Sequence, residues 1–218
     1  MMPFMMDMPP ARFSRSAHIH APQHETFFLY GPIGEAETYV EMIDYILNMG
    51  EGDTCMLRLN GPGGSLMSAL AIVNAISTTK GNVITVVDAE AASAHSLIWF
   101  AGHKKYILAE HVMLMIHGYS SINGGHMTRQ RESLDATDRL FKMLAERYYK
   151  PFLTDEEYQN VVKGVDDFRL GPDILARMKK MSEEKKEAQE DKKAPELIQE
   201  EVKATNPKRP SRSKKTVA

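Results

Sequence analysis

Among the 218 residues there is a single cysteine, Cys55. An intramolecular disulfide is therefore impossible, and a cysteine-built zinc site is excluded. No apolar run approaches the ~18 residues that a membrane-spanning helix needs. The opening stretch MMPFMMDMPP lacks a basic segment and is broken by Asp7 and three prolines, so no secretory signal is expected. Charge of one sign is lacking too. A net charge of -2 does not suit a nucleic-acid binder. Aromatic residues make up only 8%. What remains is the composition of one soluble domain with polar sequence attached.

That polar sequence lies at the ends. Residues 1–25 are rich in Met, Pro and His without periodicity and read as a flexible arm. From Ser182 to Ala218, 18 of 37 residues are charged and none is aromatic. Its first part, to Glu201, holds eight acids against four bases, and the rest holds six bases and no acid. Such a segment cannot bury enough surface to offset its ordering entropy, so residues 182–218 read as a disordered tail. Its basic end (Lys208, Arg209, Arg212, Lys214, Lys215) suits contact with an acidic surface or nucleic acid, or simply aids solubility.

Residues 26–181 form the expected domain, and strands and helices alternate along it. Strands are expected at Phe27–Tyr30, Cys55–Leu59, Val83–Val87, Tyr106–Leu108 and Val112–Ile116. Helices are expected at Glu35–Met49, Ser65–Ile76, Ala92–Gly102, Thr128–Tyr149 and Asp173–Met181. Thr154–Glu157 has the pattern of a capping box opening a further helix. Repeated β-α-β units imply an α/β fold with a mainly parallel sheet.

Four places carry chemical interest, and each has a plainer reading. Asn60-Gly61-Pro62-Gly63-Gly64-Ser65 lies between strand and helix, where exposed N–H groups suit an oxyanion or phosphate; it is also simply a tight turn. It lacks the ending of a P-loop. Ser93 lies among small residues between strand and helix, as a nucleophile would, or as an N-cap would. His117 ends the apolar strand Val112–Ile116, which suits a general base held at a sheet edge; half-buried structural histidines look the same, and seven other histidines compete. Asp166 and Asp167 could each orient a histidine, or form a solvated acidic turn. Together the four supply oxyanion donors, nucleophile, base and orienter, in the order Ser, His, Asp.

The stretches FFLYGPI (27–33), LRLNGPGGS (57–65), AEAASAHSLIWFAG (89–102), VMLMIHGY (112–119) and VDDF (165–168) resemble the proteolytic subunit of the Clp proteases, in order and spacing, over roughly 70% of the chain. The resemblance implies the ClpP/crotonase-like α/β spiral of ββα units with a protruding handle helix, at about 120–150. It implies a serine endopeptidase with Ser93 as nucleophile, His117 as general base and Asp166 as the acid, Asp167 being the fallback. The backbone N–H groups of Gly64 and Ala94 would form the oxyanion hole. No cofactor or metal is implied. Implied partners are unfolded protein or peptide substrates, further copies in a heptameric ring or double ring, and an AAA+ unfoldase. The implied compartment is the cytoplasm, or the host's cytoplasm for a phage-encoded member.

Several positions depart from the family pattern. His95 replaces a glycine two residues after the serine, where a larger side chain would crowd the site or alter substrate choice. Gly118-Tyr119 replaces Gln-Pro after the histidine, and Val165 replaces the Arg before Asp166, which bears on double-ring assembly. The gating segment has no counterpart in residues 1–25. These departures suit a divergent member, including a phage capsid-maturation protease. They also suit an inactive assembly subunit. A crotonase-type enzyme acting on acyl-CoA shares the architecture but not the Ser-His-Asp match.

Overall fold

A computed structural model describes residues 21–120 and 126–183. Most of the expected arm (1–20), most of the tail (184–218) and positions 121–125 of the handle's approach lie outside the described residues.

Among the described residues, six strands form one sheet. They are β1 (His24–Tyr30), β2 (Thr54–Gly61), β3 (Asn82–Ala92), β4 (Lys104–Ile107), β5 (Met113–Ile116) and β6 (Asp167–Leu170). The order is β1-β2-β3-β5-β6, with β4 also on β3. All pairs are parallel except β5 with β6, which run antiparallel. At eleven residues β3 is the longest strand and extends five residues past the expected Val87. That length lets it pair β4 through Ile84–Val87 and β5 through Glu90–Ala92, one after the other on the same edge. The extension carries β3 up to Ser93.

Three crossover helices cover one face: α1 (Val40–Asn48), α2 (Leu66–Thr78) and α3 (Ala94–Ala101). Burial alternates residue by residue along β2, with Cys55, Leu57 and Leu59 inside. They pack with Ile46, Ile72, Ile76, Ile98 and Trp99 in one core. Ser65 caps α2 by accepting the Ser68 N–H at 3.3 Å. The expected first helix divides, its leading turn (Ala36–Tyr39) being 3-10 and only Val40–Asn48 α-helical.

The long helix α4 (Met127–Leu144) ends in a π-helical turn, Ala145–Tyr149. Before Phe141 it buries no residue. It is followed by α5 (Asp155–Val162), where both halves of the Thr154–Glu157 capping box form. The Asp166–Asp167 stretch is not simply a turn, because Asp167 begins β6. Residues 171–183 form a last helix, longer at both ends than expected. Among the described residues no helix is long and apolar enough to cross a membrane.

Candidate active site

Three strands deliver the candidate residues at their carboxyl ends, where open parallel sheets form their clefts. β2 leads into loop 60–64, β3 into Ser93 and β5 into His117. One cavity of about 460 Å³ is lined by Gly64, Ser93, Ala94 and His117 among others. Leu97, Phe141, Leu144 and Tyr149 form its apolar part.

Ser93 has φ 55° and ψ -116°, and it is the one non-glycine residue with positive φ among the described residues. A side chain is costly there, on the order of 1–3 kcal/mol. The sharp bend ends β3 and starts α3 within one residue. It is held by the Ser93 N–H donating to Met115 O at 2.9 Å and by the Ser93 carbonyl, which accepts from Leu97 N–H and from Ser96 Oγ. The side chain caps nothing, so the N-cap reading fails. Instead Ser93 Oγ lies 2.6 Å from His117 Nε2.

On the ring's other side His117 Nδ1 stands 3.7 Å from Asp166 Oδ1. That is longer than a closed hydrogen bond. Asp166 is half exposed (51%), whereas His117 is 24% exposed. Asp167 points elsewhere, its carboxylate gripped by the Arg169 guanidinium. Arg169 also bonds Glu157, which in turn holds Arg177 through both oxygens. With Arg177, its Thr154 cap and Arg169 around it, Glu157 has its pKa held down at about 2. Of the two adjacent carboxylates, only Asp166 is left to face His117.

The glycine loop is fixed by β-type bonds to Ile33. Ile33 N–H donates to Gly63 O at 2.7 Å, and Ser65 N–H donates to Ile33 O at 2.8 Å. Across a planar trans peptide the Gly64 N–H must point opposite to Gly63 O. It therefore points away from Ile33, on the side of the cavity that Gly64 lines. A Cβ at Gly63 would meet Ser93 Cβ at 2.5 Å, and one at Gly64 would meet Ile33 O at 2.2 Å. Both positions also have positive φ, so glycine is required twice over. The Ala94 N–H is the first of α3 and has no intrahelical acceptor. The structure thus brings Ser93, His117, Asp166, Gly64 and Ala94 together.

His95 does not crowd the cavity. Its ring turns the other way and is fully buried beneath loop 60–64, taking the Gly63 N–H at Nδ1 (3.1 Å) and meeting Leu29 O at Nε2 (3.2 Å). Sequence reasoning marked the residue only as a departure. Its contacts come from two segments remote in sequence, so no local signal could reveal them. Tyr149, which also lines the cavity, was expected only as the last residue of the helix Thr128–Tyr149. Burial pushes its hydroxyl up to about 12, so it stays protonated, 3.4 Å from Ser96 Oγ.

An α/β sheet with a cleft at the carboxyl ends of its strands, holding a serine–histidine pair, is the class that the geometry defines. The family described as Clp protease matches residues 20–166, more than half of the sequence, and the chain belongs to that family. The ATP-dependent Clp protease proteolytic subunit 2 of Prochlorococcus marinus (strain NATL2A) is 27% identical over 136 residues. The proteins of the same name from Prochlorococcus marinus (strain MIT 9313) and of subunit 3 from Synechococcus sp. (strain CC9605) are 30% and 26% identical. Each alignment covers 61% of this chain and 66% of the relative, just under two-thirds of the relatives' length.

Proposed function

We propose that this chain is a Clp-type serine endopeptidase working through Ser93, His117 and Asp166. The observation that carries the reading is the 2.6 Å approach of Ser93 Oγ to His117 Nε2 at a strained strand-to-helix bend. Nε2 accepts the hydroxyl proton as Oγ attacks the substrate carbonyl carbon. The proton on Nδ1 faces Asp166, whose negative charge stabilises the imidazolium; the 3.7 Å gap closes as that charge develops. The Gly64 and Ala94 N–H groups hold the tetrahedral oxyanion. His117 then passes its proton to the leaving amine, and water repeats the sequence on the acyl-enzyme. The apolar lining of the cavity, which includes Leu97, Phe141 and Leu144, suits an apolar side chain of an unfolded substrate.

Assembly into rings, and supply of substrate by an AAA+ unfoldase, are part of the same proposal. Their support is the largely uncovered α4, with Met127, Leu134 and Met143 exposed, and the ATP dependence in the relatives' names. The inactive-subunit reading gains nothing from His95, which leaves the cavity open. Hydrolysis of a fluorogenic peptide by the purified chain, lost in Ser93→Ala and in His117→Ala, is the expected result. Hydrolysis that survives Ser93→Ala overturns the assignment.

A further inference from the structure

We propose that His95 is a positioning residue for the oxyanion loop: its neutral ring holds the Gly63 N–H and, through the Gly63–Gly64 peptide, aims the Gly64 N–H into the cavity. The proposal rests on the peptidase reading of that cavity.

The ring's two partners fix its state. Gly63 offers only a donor and Leu29 only an acceptor, so Nδ1 is bare and Nε2 carries the hydrogen. A cationic ring would set Nδ1–H against Gly63 N–H, donor to donor. Burial pushes the pKa of His95 down and keeps the ring neutral.

The contacts fix the loop from both sides. Gly63 gives its N–H to His95 and its carbonyl to Ile33, so both peptide groups of this residue are held. Gly61 approaches the ring so closely that a Cβ there would meet His95 Cε1 at 2.7 Å. Loop 60–64 holds three glycines, whose backbones are the least restricted of any residue. A planar ring wedged beneath them supplies the rigidity that an oxyanion site needs. His95 also follows Ala94 directly, at the start of α3. One residue's side chain therefore ties the loop to the same helix end that presents the second donor, setting the spacing between the Gly64 and Ala94 N–H groups. The ring is not among the groups lining the cavity, so it acts through Gly63 and not on substrate.

Two substitutions separate the bonds. In His95→Asn a side-chain oxygen can take the place of Nδ1 and keep the Gly63 N–H. In His95→Gln the terminal amide can take the place of Nε2 and keep Leu29 O, leaving Gly63 N–H without its acceptor. The expected result is a kcat for peptide hydrolysis at least about tenfold lower in the Gln variant at unchanged KM. Affinity for a peptide aldehyde should fall in parallel, because Ser93 Oγ–H adds across its carbonyl to give a hemiacetal whose hydroxyl oxygen occupies the same oxyanion site. The Asn variant should stay within about threefold of wild type on both measures. Amide exchange at Gly63 should be slow in wild type and Asn and fast in Gln. Equal kcat in both variants, or losses that follow melting temperature alone, overturns the proposal. If wild type neither cleaves peptide nor binds aldehyde, the peptidase reading fails, and exchange decides by itself: Gly63 protection that persists in the Gln variant overturns the positioning role. If neither variant folds, the nitrogen shifts of His95 in wild type decide, and a protonated Nδ1 at neutral pH overturns it.

Discussion

At Ser93 conformation and chemistry pull in opposite directions. The positive φ that lifts Oγ toward His117 is one that glycine adopts without strain. Ser93→Gly should therefore abolish hydrolysis yet raise stability by about 1 kcal/mol, read by denaturant unfolding. A destabilised Gly variant would show that the bend is not strained. The adjacent carboxylates divide in the same way. Asp166→Asn should lower kcat about a hundredfold or more, because the imidazolium loses its counter-charge. Asp167→Asn should leave kcat nearly unchanged and cost stability, since its partner is Arg169. The reverse pattern in a kcat comparison would reassign the acid. Ser93 and His117 were candidates in the sequence because each follows an apolar strand, but an N-cap serine and seven other histidines stayed open, and the family resemblance made the choice. From the residues alone Asp166 and Asp167 stayed open and the resemblance favoured Asp166; the group that occupies Asp167, the guanidinium of Arg169 in β6, left no local signal. The role of His95 was hidden for a similar reason: its partners sit 32 and 66 positions away.

Among the elements, the alternating strand and helix patterns located the units from β1 to α4, and the capping-box pattern located α5. Boundaries moved where tertiary pairing overrode the local pattern. β3 outlasts its apolar run because Glu90–Ala92 gain β5 as a neighbour. β6 has only four residues, two of them charged, and becomes a strand by pairing β5. Glu157 joins α5, β6 and the helix 171–183 through its two arginines. Its pKa is lowered from 4.5 to about 2, chiefly by Arg177. A depressed folded-state value contributes stability above the unfolded pKa, and that contribution is lost as pH falls toward the folded one. Glu157→Gln should therefore be less stable than wild type at neutral pH. The gap should narrow between about pH 4.5 and 2 in unfolding titrations. A gap independent of pH would remove the ionic network from the account.

At the scale of the whole molecule, the described residues leave apolar surface exposed. Phe28 and Tyr30 stand on the half-open face of the sheet, 62% and 53% exposed, and α4 buries nothing before Phe141. A helix of that length gains most of its stability from packing, which is consistent with other copies covering it. Paired substitution of Met127 and Leu134 by Asp should shift the sedimentation of the chain toward smaller species while the protomer's circular dichroism is unchanged. Unaltered sedimentation would remove α4 from the interface. The central claim, that Ser93 is activated by His117, is tested most directly by fluorophosphonate labelling read as intact mass. One adduct on wild type, absent from Ser93→Ala, is the expected result. An adduct that persists in Ser93→Ala, or a folded and assembled wild type that takes none, contradicts it.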